Sequence, residues 1–156
     1  MANWKMTGKI ICGYPGVGKS AAAVNRTDIV DAESSGYSHP FNFETQEFEV
    51  NSEFPKNYVE HIKKLASEIG GYEYVLVSCH KEVRNELDAQ GIPYVVVIPE
   101  VGCKDEYLKR YLKRGDRAEF IAQMFANWVD WHNEIEENAP AVIHLSAGEV
   151  LADILP

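Results

Sequence analysis

Five short strand-like runs, four of them apolar and one ending in carboxylates, alternate along the chain with longer segments whose apolar positions recur at helical spacing, and this alternation predicts the fold class. The strand-like runs are residues 9–12, 28–33, 74–77, 94–98 and 141–145. Tyr74-Val75-Leu76-Val77 and Tyr94-Val95-Val96-Val97-Ile98 are continuously apolar, the pattern of strands covered on both faces. Between the runs lie segments of helical period. Ser20 to Val24 forms the first, and Pro55 opens a second in which Val59, Ile62, Leu65, Ala66 and Ile69 share a face before Gly70-Gly71 stops it. Val83 and Leu87 mark a short third helix, followed by Gly91. Asp105 to Lys113 carries Leu108, Tyr111 and Leu112 on one side and ends at Gly115. Asp116 and Glu119 then have capping-box spacing, ahead of a long stripe of Phe120, Ile121, Met124, Phe125, Trp128, Val129, His132 and Ile135. Strands that alternate with helices predict an α/β fold of three layers, α/β/α, around a mostly parallel five-stranded sheet. Residues from about 34 to 54 include Pro40 and hold no sustained period, which predicts a long excursion from that scaffold.

Size and composition narrow the reading. A chain of 156 residues suits one domain, here taken as 1–156, and 46% hydrophobic with 25% charged residues is ordinary globular content. The formal charge of −9 disfavours broad nonspecific nucleic-acid binding. No stretch approaches a membrane span and no signal-peptide core opens the chain, so a cytoplasmic protein without a membrane partner is expected. Cys12, Cys79 and Cys103 are odd in number and far apart, which points to reduced thiols. Cys79, His80 and His144 lack the second pair that a metal site at ligand spacing requires.

Candidate chemistry concentrates between the first strand and the first helix. Gly13-Tyr-Pro-Gly-Val-Gly18-Lys19-Ser20 fits G-x-x-x-x-G-K-[ST], the loop whose backbone N–H groups cradle nucleotide phosphates at a helix N-terminus. The candidate nucleotide-binding residues are therefore Gly13, Pro15, Gly16, Val17, Gly18, Lys19, Ser20 and Ala21, with Lys19 reaching the β/γ-phosphates and Ser20 ligating Mg²⁺. ATP and Mg²⁺ are the expected cofactors. Phosphoryl transfer also asks for cations around the transferred group and a carboxylate near the attacking oxygen. Arg110, Arg114 and Arg117 recur at spacings of four and three in a lid-like segment, about 104–117, for which Gly115 is a candidate hinge; the alternative is a solvated basic face. Asp31, at the end of the second strand, is placed to orient or deprotonate an acceptor hydroxyl, or to act through water on Mg²⁺, against a simple turn cap. Glu33, Ser34 and Ser35 are candidates for acceptor contacts. Phe41, Phe43 and Phe48 are candidates for stacking on a base, or for plugging a small satellite core. Trp128 and Trp131 read as core and boundary residues. The strand at 74–77 ends in Ser78 where a metal-holding carboxylate is usual.

With these pieces placed, the chain resembles the small P-loop kinases related to nucleoside- and deoxynucleoside-monophosphate kinases, and within them the short kinase-like proteins of bacteriophages. The likeness rests on Gly13 to Ser20, on Asp31-Ala-Glu-Ser-Ser35, on Val77-Ser-Cys-His-Lys-Glu-Val83, and on Tyr107-Leu-Lys-Arg-Tyr-Leu-Lys-Arg-Gly115 ahead of a long helix with Asn127-Trp128. It implies an ATP-dependent, Mg²⁺-dependent phosphotransferase acting on a nucleotide or nucleoside-like acceptor, in the host cytoplasm for a phage-encoded chain. Part of that group resembles kinases of the hydroxymethyl group of 5-hydroxymethyluracil in DNA, which makes DNA a candidate substrate with Asp31 as base. A regulatory ATP-binding module without an acceptor is the alternative of another class. One departure bears on the acceptor. Monophosphate kinases hold the substrate phosphate with an early arginine, and none occurs between Arg26 and Arg84.

Overall fold

Every strand of the central sheet is parallel, and the order places the strand that opens the Gly13–Ser20 loop in the middle. The computed structural model describes residues 6–34, 41–42, 47–48 and 51–156, without the side chains of 41–42 and 47–48. Strands β1 (Lys9–Gly13), β2 (Ile29–Ala32), β5 (Tyr74–Ser78), β6 (Val95–Pro99) and β7 (Val142–Leu145) lie in the order β2-β5-β1-β6-β7. The register aligns Gly13 with Ser78 and with Val97, so the strands end together beside the loop. The connection from β1 leads to one side of the sheet and that from β6 to the other. Parallel sheets open a ligand crevice beyond the strands' carboxyl ends at such a reversal.

Helices cover both faces. They are α1 (Lys19–Ala23), α2 (Lys56–Ala66), α3 (Lys81–Ala89), α4 (Lys104–Arg114), α5 (Ala118–Asn138) and α6 (Leu151–Ile154). α2 packs on α3, α4 on α5, and α1 on α6. The apolar runs supply the core: Val75, Leu76, Val77, Val96, Val97 and Ile98 have no exposed surface. At roughly 25 cal/mol per Å² of buried apolar area, these runs dominate the energy that holds the sheet.

The helical periods matched with four exceptions. Ile69 lies beyond the end of α2 and is exposed, because the chain leaves the helix at Ser67, whose hydroxyl donates to the Lys64 carbonyl (2.6 Å). On α4 the buried pair is Tyr107 and Tyr111, and Leu112 faces solvent. The stripe on α5 is narrower than its sequence suggests, since Phe125 and Val129 are exposed. The capping box does not form: Arg117 caps α5 without a side-chain bond, and Asp116 instead accepts from Arg114 Nε at 2.7 Å. A guanidinium two residues away competes with the helix N–H groups for that carboxylate. The excursion contains a two-stranded antiparallel hairpin, β3 (Phe41–Asn42) with β4 (Glu47–Phe48), too short for period-two alternation to reveal. Among the described residues no helix is long and apolar enough to cross a membrane. Cys12, Cys79 and Cys103 are free thiols.

Candidate functional site

The loop from Gly13 to Ser20 keeps its donors and gives away its acceptors. The Gly13 carbonyl accepts from Lys19 Nζ (2.9 Å), Tyr14 from the Val17 N–H (3.2 Å), and Pro15 from the Tyr111 hydroxyl (2.7 Å). The Gly16 carbonyl accepts from Arg110 Nη1 (2.8 Å), Val17 from the Leu151 N–H (2.8 Å), and Gly18 from the Ala22 N–H (3.0 Å). Every carbonyl from Gly13 through Gly18 is thus committed. Among the described residues the N–H groups of Gly16, Gly18, Lys19, Ser20 and Ala21 have no acceptor, the last three because they form the first turn of α1. A loop of this kind offers hydrogen-bond donors to an anion and presents no oxygen to repel it.

Two glycines make the shape. Gly16 has φ +90° and Gly18 +94°, values that side chains rarely adopt. A β-carbon on Gly16 would stand 2.9 Å from Tyr111 Cε1, so the loop also needs a bare backbone to pack on α4. Val17 is fully buried, and its side chain belongs to the core. The sequence places Val17 among the ligand contacts; its side chain lies in the core and its N–H donates to the Tyr14 carbonyl (3.2 Å).

Lys19 is half-buried at the head of α1, and partial burial lowers its pKa against the pull of Asp31. Ser20 donates its hydroxyl to Asp31 Oδ2 at 2.7 Å. Asp31 Oδ1 is buried and has no partner among the described residues. A buried acceptor left unmet costs about 1–3 kcal/mol, so this carboxylate is set for a ligand beside Ser20. Ser20 and Asp31 therefore suit a hydrated Mg²⁺, whose coordinated water would satisfy that oxygen. Ser34 is buried and accepts from the Ser78 hydroxyl (2.8 Å); Ser78 also donates its N–H to the Tyr58 hydroxyl (3.2 Å), and Tyr58 donates in turn to the Ala32 carbonyl. Ser34 and Ser78 thereby fix the ends of β2 and β5. Ser35 and Phe43 lie outside the described residues.

The three arginines separate. Arg110 bonds the Gly16 carbonyl, the Glu149 carbonyl (3.0 Å) and Glu106 (2.9 Å), which ties α4 to the loop and to the segment before α6. Arg114 lies over the rings of Tyr111 and Phe120 and lines the cleft. Arg117 is exposed at the start of α5 and does not reach the cleft, because the turn at Gly115 (φ +79°) carries it outward. The segment 104–117 is a helix seated on the core by Tyr107 and Tyr111 followed by that turn. Replacing Arg110 by alanine removes two charge-assisted bonds to carbonyls, and at about 1–1.5 kcal/mol each for a partly exposed side chain this costs about 2–3 kcal/mol of stability without any nucleotide present. Denaturant unfolding checks it. A fully stable Arg110→Ala protein that had lost only turnover would return Arg110 to the role of a phosphate clamp.

From the loop a cleft of about 960 Å³ extends past the ends of β2 and β5 to the inner face of α5. Asp31, Glu33, Ser34, Ser78, Cys79 and His80 line one side, and Phe120, Gln123, Met124, Trp131 and Ile135 line the other. Trp128 is the core residue expected, and Trp131, 38% exposed, is the boundary residue expected and lines the cleft. Arg84 and Glu134 meet at the same wall in a bidentate pair, with Arg84 also donating to the Cys79 carbonyl (2.8 Å). The Arg84 bonds hold the Glu134 carboxyl below its usual pKa. Sequence reasoning missed this pair, since nothing local connects residues fifty positions apart. It placed Tyr111 on the inner face of its helix but missed Tyr107, one turn earlier, as a second buttress. His144 pairs with Glu136 on the surface.

The chain matches no protein-family model and no curated protein.

Proposed function

We propose that this protein is an ATP- and Mg²⁺-dependent phosphotransferase of the P-loop kinase kind, moving the γ-phosphoryl group of ATP to a nucleotide or nucleoside-like acceptor. The donor-only loop from Gly13 to Ala21 carries this reading, because a polyphosphate is the ligand that such a surface suits. Lys19 would leave the Gly13 carbonyl for the β/γ-phosphates, and Arg114 lies in the same cleft for the transferred group. Magnesium, held by Ser20 and through water by Asp31, would neutralise charge on the phosphates. The acceptor's oxygen, a hydroxyl of a nucleoside or a phosphate oxygen of a nucleotide, forms the new bond to the γ-phosphorus, the bond to the β,γ-bridging oxygen breaks, and ADP leaves with the electron pair. The hydroxyl proton passes to a carboxylate of the cleft wall, where Glu33 stands beside Ser34.

Asp31 has two candidate roles, and the bond to Ser20 favours the metal side. We expect Asp31→Asn to raise the Mg²⁺ concentration needed for half-maximal turnover roughly 10–100-fold, as for other groups that orient a metal's ligands, with activity restored by excess Mg²⁺. A loss of kcat that Mg²⁺ does not restore, at an unchanged Mg²⁺ midpoint, would make Asp31 the base instead. The reading as a whole is tested with γ-labelled ATP and a panel of nucleosides, nucleoside monophosphates and hydroxymethylated DNA. Label on an acceptor supports a kinase. Inorganic phosphate released at the same rate whatever acceptor is added supports a regulatory ATP-binding module.

A further inference from the structure

We infer that Glu106 is a positioning residue of the Gly13–Ser20 loop: by holding Arg110 and Gly148 at once, it keeps the loop's N–H groups turned toward a bound triphosphate. This role rests on the proposed ATP site and is exerted through Arg110. In a trans peptide the carbonyl and the next N–H point in opposite directions, so a donor that fixes a carbonyl behind the loop aims the following N–H to the front. The Tyr111 hydroxyl on the Pro15 carbonyl (2.7 Å) aims the Gly16 N–H in this way, and the Leu151 N–H on the Val17 carbonyl (2.8 Å) aims the Gly18 N–H. Arg110 secures the peptide between them by donating to the Gly16 carbonyl (2.8 Å), and it ties that carbonyl to the Glu149 carbonyl (3.0 Å), two residues before Leu151. This peptide is the one freest to turn, because Gly16 sits at φ +90° and glycine takes either sign of φ. Turned over, it would set its carbonyl oxygen against the phosphates.

Glu106 sets where that guanidinium points. Its Oε2 accepts from Arg110 Nη2 (2.9 Å) and its Oε1 from the Gly148 N–H (2.8 Å), so one carboxylate joins α4 to the segment that carries Glu149 and Leu151. Gly148 is another glycine at positive φ, +81°, whose backbone needs such a tether. Buried Tyr107 lies beneath the guanidinium, its ring centre 4.3 Å from Arg110 Cζ, which fixes the plane of the group but leaves it free to turn within that plane. The bond to Glu106 removes that freedom and directs the remaining N–H groups to the two carbonyls. Both partners of Glu106 are donors, and a carboxylate offers an acceptor to each. An amide in its place would face one of them with its NH₂ group. Both side chains of the Glu106–Arg110 pair stay partly exposed, and such pairs add little to folding stability. The effect of Glu106 therefore falls on the shape of the loop, where preorganised donors raise affinity. Charge alone acts in the opposite sense, since removing a carboxylate near an anion site would tighten anion binding.

The test compares the parent chain with Glu106→Gln, which keeps the size of the side chain. MgATP and magnesium pyrophosphate are titrated into each by calorimetry, and denaturant unfolding is followed on the same preparations. Glu106→Gln should weaken both ligands about tenfold, the scale of losing a group that orients other contacts, and leave the unfolding midpoint where it is in the parent. Affinity equal to the parent's, or tighter, overturns the proposal, because a plain surface charge would give that result. Loss confined to MgATP also overturns it, by moving the effect from the phosphates to the nucleoside. So does a fall in affinity matched by a fall in midpoint, the signature of a structural residue. A parent chain that binds pyrophosphate but not MgATP sinks the kinase reading, and the pyrophosphate titration still decides the role of Glu106. A parent chain that binds MgATP, with Glu106→Gln binding it equally well, does the reverse. Binding of neither ligand by the parent removes both.

Discussion

Lys19→Ala is expected to lower kcat/KM for ATP roughly 10²–10³-fold, the usual cost of removing one preorganised electrostatic contact to the developing charge. Lys19 is the only cation in the loop itself, and among the described residues its ammonium donates to the Gly13 carbonyl alone. Its removal therefore strips the loop of charge while leaving the bonds from Tyr111, Arg110 and Leu151 in place. Partial burial already disfavours its charged form, so folding loses little when it goes. The variant should keep the parent's unfolding midpoint to within about 1 kcal/mol, the scale of a single hydrogen bond. Steady-state kinetics with a denaturant titration on the same preparation separates the two effects. Unchanged ATP kinetics would remove Lys19 from the site, and a large loss of stability would make it a structural residue.

Arg84→Met should produce the largest loss of stability among single changes at the cleft, about 3 kcal/mol, because it leaves Glu134 facing a buried wall without its partner. Arg84 is 3% exposed, whereas Glu134 keeps contact with water, which places the cost at the low end for a broken buried pair. The pH dependence has a definite sign. Arg84 depresses the folded pKa of Glu134, so the pair's stabilisation is complete above the unfolded value near about 4.3 and is lost as pH falls through the folded one. The gap in unfolding free energy between parent and variant should accordingly narrow from pH 7 to pH 3. A gap constant across that range would mean that packing of the arginine stem, and not its charge, is what matters.

The sheet was legible because its strands are buried on both faces: unbroken runs such as Tyr74 to Val77 have one physical explanation, and the alternation with helices then implies parallel order. The loop was legible because close backbone packing leaves few choices at Gly16 and Gly18, where a β-carbon meets Tyr111 or a strained φ. Positions were read less well than elements. Arg110, Arg114 and Arg117 look equivalent at helical spacing, yet tertiary contacts made the first a strut and sent the third outward past Gly115. Local spacing carries no information about a carbonyl ninety-four residues earlier in the chain, which is what Arg110 meets at Gly16. Trp131 is the boundary residue expected, and the boundary it occupies is the edge of the cleft. A helical stripe says that a face is covered, not whether protein or ligand covers it.

Calorimetric titration of the full chain with ATP, with and without Mg²⁺, asks whether the Gly13–Ser20 loop holds a triphosphate. One MgATP should bind per chain, ADP should compete, AMP should not, and chelating Mg²⁺ should weaken binding. The absence of saturable ATP binding, or equal affinity for ATP and AMP, would contradict the account at its base.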